Sequence, residues 1–245
     1  APWVPTGEGF DPDKAKWELY HIDEDFSQAR DLAGQQPEKL REMQDLWWAE
    51  ASKYNVLPLD WRGTERLNAE LQGRPSLAGD AKVFTYYPGQ LGLPNDAAPR
   101  VLNKSWTITA EVEDADQADG MIVTHGGLVG GYGLYLRGGK PTFVYNLLDV
   151  ERYTISSDSP LPKGKARIVV DFAYEGGGLG KGGAITVTVN GDKVAEGRLP
   201  RTIPLQISLG EGMDIGEDVG SAVDFTYKLP FRFTGKIEKV TYELK

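Results

Sequence analysis

Two histidines, His21 and His125, and no cysteine occur in the 245 residues. A three-histidine zinc site, a thiolate nucleophile and a disulfide framework are therefore excluded. His125 closes an apolar run and directly precedes Gly126-Gly127, where an imidazole could face a cleft. No serine and aspartate accompany it in an order that identifies a Ser-His-Asp relay. A ring that is merely structural or solvated is the plainer reading of both histidines. Gly178-Leu-Gly-Lys-Gly-Gly183 has the G-x-G-x-x-G spacing of a phosphate-cradling loop. Such a fingerprint opens a helix, and a phosphate-loop lysine is followed by Ser or Thr. Here Gly182 follows the lysine and an alternating strand pattern follows the loop, so a hairpin loop is expected.

Glu211, Asp214, Glu217, Asp218 and Asp224 are interleaved with Gly212, Gly216 and Gly220. Hard cations such as Ca²⁺ are held by several converging oxygens, and these glycines would let the segment curl. The EF-hand spacing is absent, so 211–224 is read as a solvated acidic loop. The residues that could contact a ligand in a cleft are then His125, Tyr132, Asp214 and Asp218. No residue is assigned a catalytic or metal-binding role.

The elements that must position these side chains are mostly strands. Thirty glycines and fifteen prolines accompany plentiful apolar and aromatic residues, which suits a turn-rich β protein. Trp106 to Glu113, Arg167 to Tyr174 and Ala184 to Asn190 alternate apolar and polar side chains, as half-buried strands do. Asn190-Gly191 and Gly138-Gly139 supply the positive φ angles of tight hairpins. In the closing segment Phe231, Phe233 and Ile237 share one parity while Val240, Tyr242 and Leu244 share the other. One buried face then requires an extra residue, and a β-bulge is expected between Ile237 and Val240. The fold class is mainly β: an antiparallel two-sheet, jelly-roll-like sandwich preceded by a small strand–helix segment.

That leading segment follows a Pro- and Gly-rich lead-in over Ala1–Lys16. Trp17–Tyr20 reads as a short strand and Asp25-Phe-Ser-Gln28 as a capping box. Pro37 opens a helix in which Leu40, Met43, Leu46, Trp47, Ala51 and Tyr54 mark one buried face, and Pro58 ends it. The expected organisation is a strand–helix piece over 1–60, a crossover linker over 61–80 and the sandwich over 81–245. A net charge of −9 with a pI near 4.9 disfavours nucleic acid and anionic membrane surfaces, which need clustered Lys and Arg. No apolar run approaches the ~20 residues of a membrane helix. The lack of cysteine leaves the compartment unassigned.

Several motifs in order resemble the C-terminal part of bacterial arylsulfatases, the formylglycine-dependent sulfatase family. They are Trp-Glu-Leu-Tyr-His-Ile-x-x-Asp-Phe-Ser-Gln (Trp17–Gln28), Asp31-Leu-Ala33, the Pro-Glu-Lys-Leu helix with its Leu-Trp-Trp, and Asn55-Val-Leu-Pro-Leu59. Thr85-Tyr-Tyr-Pro-Gly89, Gly210-Glu-Gly-Met-Asp-Ile-Gly216 and Pro230-Phe-Arg-Phe-Thr-Gly-Lys-Ile237 extend the likeness over nearly the whole chain. Gly131–Asn146, Ile185–Gly191 and Phe233–Val240 separately resemble strands of laminin-G or concanavalin-like sandwiches. The family makes its nucleophile from Cys or Ser in Cys/Ser-x-Pro-x-Arg. This chain has no Cys, and no Ser stands two positions before a Pro. The resemblance thus implies an accessory portion of a sulfuric ester hydrolase, inactive alone, whose calcium and formylglycine belong to an absent N-terminal catalytic lobe. Its expected roles are to shape the substrate cleft or make contacts in a homo-oligomer. The alternative is a free-standing carbohydrate-binding sandwich with Tyr132, Tyr135, Tyr145 and Tyr153 on an exposed face.

Overall fold

The computed structural model describes residues 15–59, 63–73, 75 and 77–245. Most of the lead-in lies outside the described residues. The chain divides into two compact units, Ala1–Arg66 and Leu67–Lys245.

In the first unit, helix α1 spans Pro37–Lys53, with Pro37 in its first turn, Glu38 at its positive end and Lys53 at its negative end. This is the charge order the helix dipole favours. The expected buried stripe is only partly covered. Ala51 is buried, whereas Met43 and Leu46 remain 42% and 51% exposed. Trp17 packs edge-on against Trp47 at 5.9 Å. The strand expected over Trp17–Tyr20 does not form. Among the described residues of this unit no strand pairs with it; Leu19 instead receives the Leu32 N–H at 2.8 Å and donates its own N–H to Asp31 at 3.0 Å. The Asp25 capping box is also absent as such: the Asp25 carboxylate accepts from Ala29 and Arg30 N–H groups in a non-helical turn.

The second unit opens at Leu67, the last residue of the 3-10 turn Thr64–Leu67, and continues into the short helix α2, Ala69–Gln72. Asn68 caps α2 through the Glu70 and Leu71 amides, and Gly73 closes it in the left-handed conformation. Strands follow in the order β1 Val83–Tyr86, β2 Trp106–Glu113, β3 Gly120–Gly127, β4 Gly130–Arg137, β5 Lys140–Leu147, β6 Glu151–Ser156, β7 Lys165–Tyr174, β8 Lys181–Val189, β9 Asp192–Arg201, β10 Met213–Ile215 and β11 Lys236–Leu244. They form two antiparallel sheets, ordered β1-β11-β2-β7-β8-β9 and β10-β3-β4-β5-β6. Between the sheets lie Trp106, Ile108, Val170, Ile185 and Val240 from one, with Tyr132, Leu134, Phe143 and Tyr145 from the other. Both anticipated tight hairpins form: Gly138 and Gly139 have φ of 53° and 75°, and Asn190 and Gly191 have 53° and 97°. The Gly178–Gly183 loop joins β7 to β8, as expected of a hairpin.

The β11–β2 register shifts between Ile237 and Lys239, which places Ile237 opposite Val112 and Val240 opposite Ala110 on one face. The bulge anticipated from the parity change is therefore present. A second shift, between Met121 and Val123 in β3, has a consequence for the site. Met121 joins an outer cluster, while Ile122 and Val123 both enter the inter-sheet core. His125 then inherits the inward parity of Val123.

The 211–224 segment is not a solvated loop. Met213–Ile215 pairs with His125–Val123 as β10. Val223 and Tyr227 pack with Met121, Tyr135 and Val144 over the outer face of the second sheet. Asp214, Asp218 and Asp224 are all buried, each satisfied by neighbouring donors. Asp214 accepts the Gly92 N–H at 2.6 Å, Asp218 accepts the Tyr227 hydroxyl, and Asp224 accepts Tyr135 at 2.8 Å and Thr226 at 2.9 Å. Burial lifts the Asp218 carboxyl from 3.8 to about 6.

Candidate functional site

His125 sits near the end of β3, beside a turn that only glycines can make. At Gly126, φ is +87° and a Cβ would lie 2.2 Å from the Gly130 carbonyl oxygen. This close return of β4 leaves His125 buried under the β1–β2 loop. Asn95 in that loop donates its amide to the Ser208 and Glu211 carbonyls at 2.9 and 3.3 Å. Its oxygen therefore faces the imidazole at 2.7 Å, and His125 carries its proton on Nε2. The other ring nitrogen lies 3.5 Å from the Tyr132 hydroxyl, which donates onward to Tyr242 at 3.3 Å. Burial lowers the His125 pKa to about 4, so the ring is neutral at physiological pH.

Above this strut a cleft of about 180 Å³ opens between α2, the β1–β2 loop and residues 205–207. Its walls combine Leu67, Val101, Leu102 and Ile207 with Asn95, Arg100, Gln206 and Glu70. Gln206 spends its amide nitrogen on the Ser208 carbonyl at 2.8 Å, which leaves its oxygen free as an acceptor. Glu70 is held by Lys104 at 2.7 Å and lies 3.8 Å from Arg100 Nη1. Arg100 Nη2 is different. Among the described residues it is the one buried side-chain nitrogen or oxygen with no hydrogen-bond partner. Buried polar groups are paired almost without exception, because an unpaired one costs about 1–3 kcal/mol.

The four residues singled out from sequence do not converge. His125 lines the cleft. Tyr132 is wholly buried between the sheets, stacked on Trp106 at 5.9 Å. Asp214 and Asp218 are tied into the β10 segment and its covering loop. Tyr135 and Tyr145 are buried too, so no tyrosine platform faces solvent on those strands. Sequence reasoning missed Asn95, Arg100 and Gln206, which stand in loops without periodicity. The one local hint was a short polar stretch stiffened by Pro94 and Pro99.

The site can bind, orient and desolvate a ligand. Its imidazole touches Asn95 and Tyr132 and is too weakly basic to take a proton at neutral pH. The chain's residues fit neither group implied by the sulfatase resemblance. The Cys or Ser precursor of formylglycine is absent. Among the described residues, no three His, Asp or Glu side chains gather as a calcium ion would need.

No family model and no curated protein matches the chain. Among solved structures, it is similar to the CBM40 module of the Ruminococcus gnavus IT-sialidase, bound to α2,3-sialyllactose. Identity is 13%, coverage is 66% of this chain and 89% of that one, and the TM-score is 0.46. Domains LG4-5 of the mouse laminin α1 chain match at 12% identity over 67% of this chain and 43% of that one, with a TM-score of 0.46. A pentraxin from Limulus polyphemus matches at 15% identity over 64% and 73%, with a TM-score of 0.37.

Proposed function

We propose that the sandwich unit is a carbohydrate-binding module that holds one neutral sugar ring in the Arg100–His125 cleft. The observation that carries this reading is the unpaired, buried Nη2 of Arg100. The Arg100 side chain lines the cleft and is 20% exposed, so a small rotation of the guanidinium would turn this unspent donor toward a ligand's oxygen. The remaining features support the same class of ligand. A volume of about 180 Å³ compares with the ~150 Å³ that accommodates a benzene ring, and so suits a single six-membered ring. Planar amide, carboxylate and guanidinium groups pair with vicinal hydroxyls, which both donate and accept. Apolar walls cover the C–H faces of such a ring. Titration calorimetry of the chain against a panel of neutral mono- and disaccharides tests the proposal. Saturable one-to-one binding that Arg100→Met abolishes is expected; no binding by any sugar to 10 mM (on the order of the weakest useful affinities) would defeat it.

A second reading concerns the wider context and rests on the residues between Trp17 and Leu59. We infer that the chain serves as a non-catalytic part of an arylsulfatase-like hydrolase. Its support is the ordered motif resemblance, together with the half-exposed Met43 and Leu46 on the apolar stripe of α1. Incubation of the isolated chain with a chromogenic aryl sulfate is expected to give no turnover. Hydrolysis at an enzymatic rate by the chain alone would overturn this reading.

A further inference from the structure

A different face of the second sheet carries an electrostatic anomaly. Arg137 ends β4 and Lys140 begins β5, and the Gly138-Gly139 turn sets them directly opposite each other. Cross-strand partners project from the same face, and like charges in that relation are destabilising. Among the described residues neither cation stands in an ion pair, although the chain carries a net charge of −9. Two carboxylates that touch this hairpin are otherwise engaged. Asp119 accepts the Gly138 N–H at 2.7 Å, and Asp224 is buried beneath Tyr135 and Thr226. The guanidinium of Arg137 is also fixed in place. It donates to the Thr226 carbonyl at 2.6 Å and lies 6.0 Å from the centre of the Phe231 ring.

These cations stand at the end of a shallow groove of about 320 Å³, floored by Thr142, Thr154 and Ser156 from β5 and β6. Thr142 and Ser156 are cross-strand partners whose hydroxyls meet at 2.8 Å. We propose that this groove is a second glycan site, distinct from the Arg100–His125 cleft, which takes an oxyanion carried on a sugar. A sulfate ester or carboxylate placed between Arg137 and Lys140 would relieve their mutual repulsion through charge-assisted hydrogen bonds. The hydroxyl-bearing floor would receive the attached ring. The two sites divide the chemistry: the cleft carries charges of both signs and suits a neutral ring, whereas the groove carries two positive charges with no ion-pair partner among the described residues.

The experiment is an NMR titration of the isotopically labelled chain with four probes: galactose 6-sulfate, glucuronate, galactose and inorganic sulfate. The proposal expects saturable shifts at Arg137, Lys140, Thr154 and Ser156 with at least one of the two anionic sugars, and none there with galactose. Lys140→Gln should weaken that binding about tenfold, and raising the salt concentration should weaken it in the wild type. Arg100→Met should leave it unchanged, which separates this site from the cleft. Response to only one anionic sugar identifies the oxyanion as ester or carboxylate. Absence of saturation with both would overturn the proposal. So would equal affinity for inorganic sulfate, which would mean an adventitious ion only, or equal binding by Lys140→Gln.

Discussion

Replacing Arg100 by methionine should separate stability from binding. The substitution removes a buried donor that the folded protein leaves unpaired, and the cost removed is about 1–3 kcal/mol. Against this stands the contact with Glu70, at 3.8 Å between side chains that are 20% and 45% exposed. A pair of that kind contributes roughly 0–1 kcal/mol. Glu70 also keeps its closer partner Lys104 at 2.7 Å, so it is not stranded. Methionine, unbranched and adaptable, fills the space of the arginine stem. The balance is a variant of equal stability or up to about 3 kcal/mol more stable than the parent. Urea unfolding monitored by tryptophan fluorescence measures it, with an unchanged denaturant slope as the check on two-state behaviour. A loss of more than about 1 kcal/mol would show that the guanidinium is a structural group, and the functional argument built on it would fail.

Because burial raises the Asp218 carboxyl from 3.8 to about 6, its contribution to stability is fully present below pH 4. It is lost as the pH rises through 6, a change of about 3 kcal/mol. Asp218→Asn should therefore flatten the fall in stability between pH 4 and 7.5; identical pH profiles for the two proteins would contradict this. Gly126→Ala forces a Cβ to 2.2 Å from the Gly130 carbonyl oxygen at φ +87° and should cost about 2 kcal/mol or more. It should also perturb the His125 ring resonances, which an intact turn would not do.

The strand elements were legible because alternation has a physical cause. Trp106, Ile108, Ala110 and Val112 reach one core, and both Gly- or Asn-Gly turns demand positive φ. The parity change at the C-terminus gave away the β11 bulge for the same reason. Trp17–Tyr20 was misleading, since four alternating residues make a strand only where a partner edge is available. Burial of Asp214, Asp218 and Asp224 was hidden because charge count signals solvent, whereas local donors decide burial. In hindsight Val223, Phe225, Tyr227, Leu229 and Phe231 alternate through that stretch, and Val223 and Tyr227 do cover the sheet. The cleft was least legible. Asn95 and Arg100 are about 25–30 residues from His125 in the chain and meet it only through the loop that crosses β3.

The central claim is that Arg100 and its neighbours hold a sugar. Its most direct test is an array of neutral and acidic glycans probed side by side with the wild-type chain, Arg100→Met and Lys140→Gln. Binding of neutral glycans by wild type and Lys140→Gln, lost in Arg100→Met, is the predicted result. Neutral-glycan binding that survives Arg100→Met, or no neutral glycan retained by the wild-type chain, would contradict it.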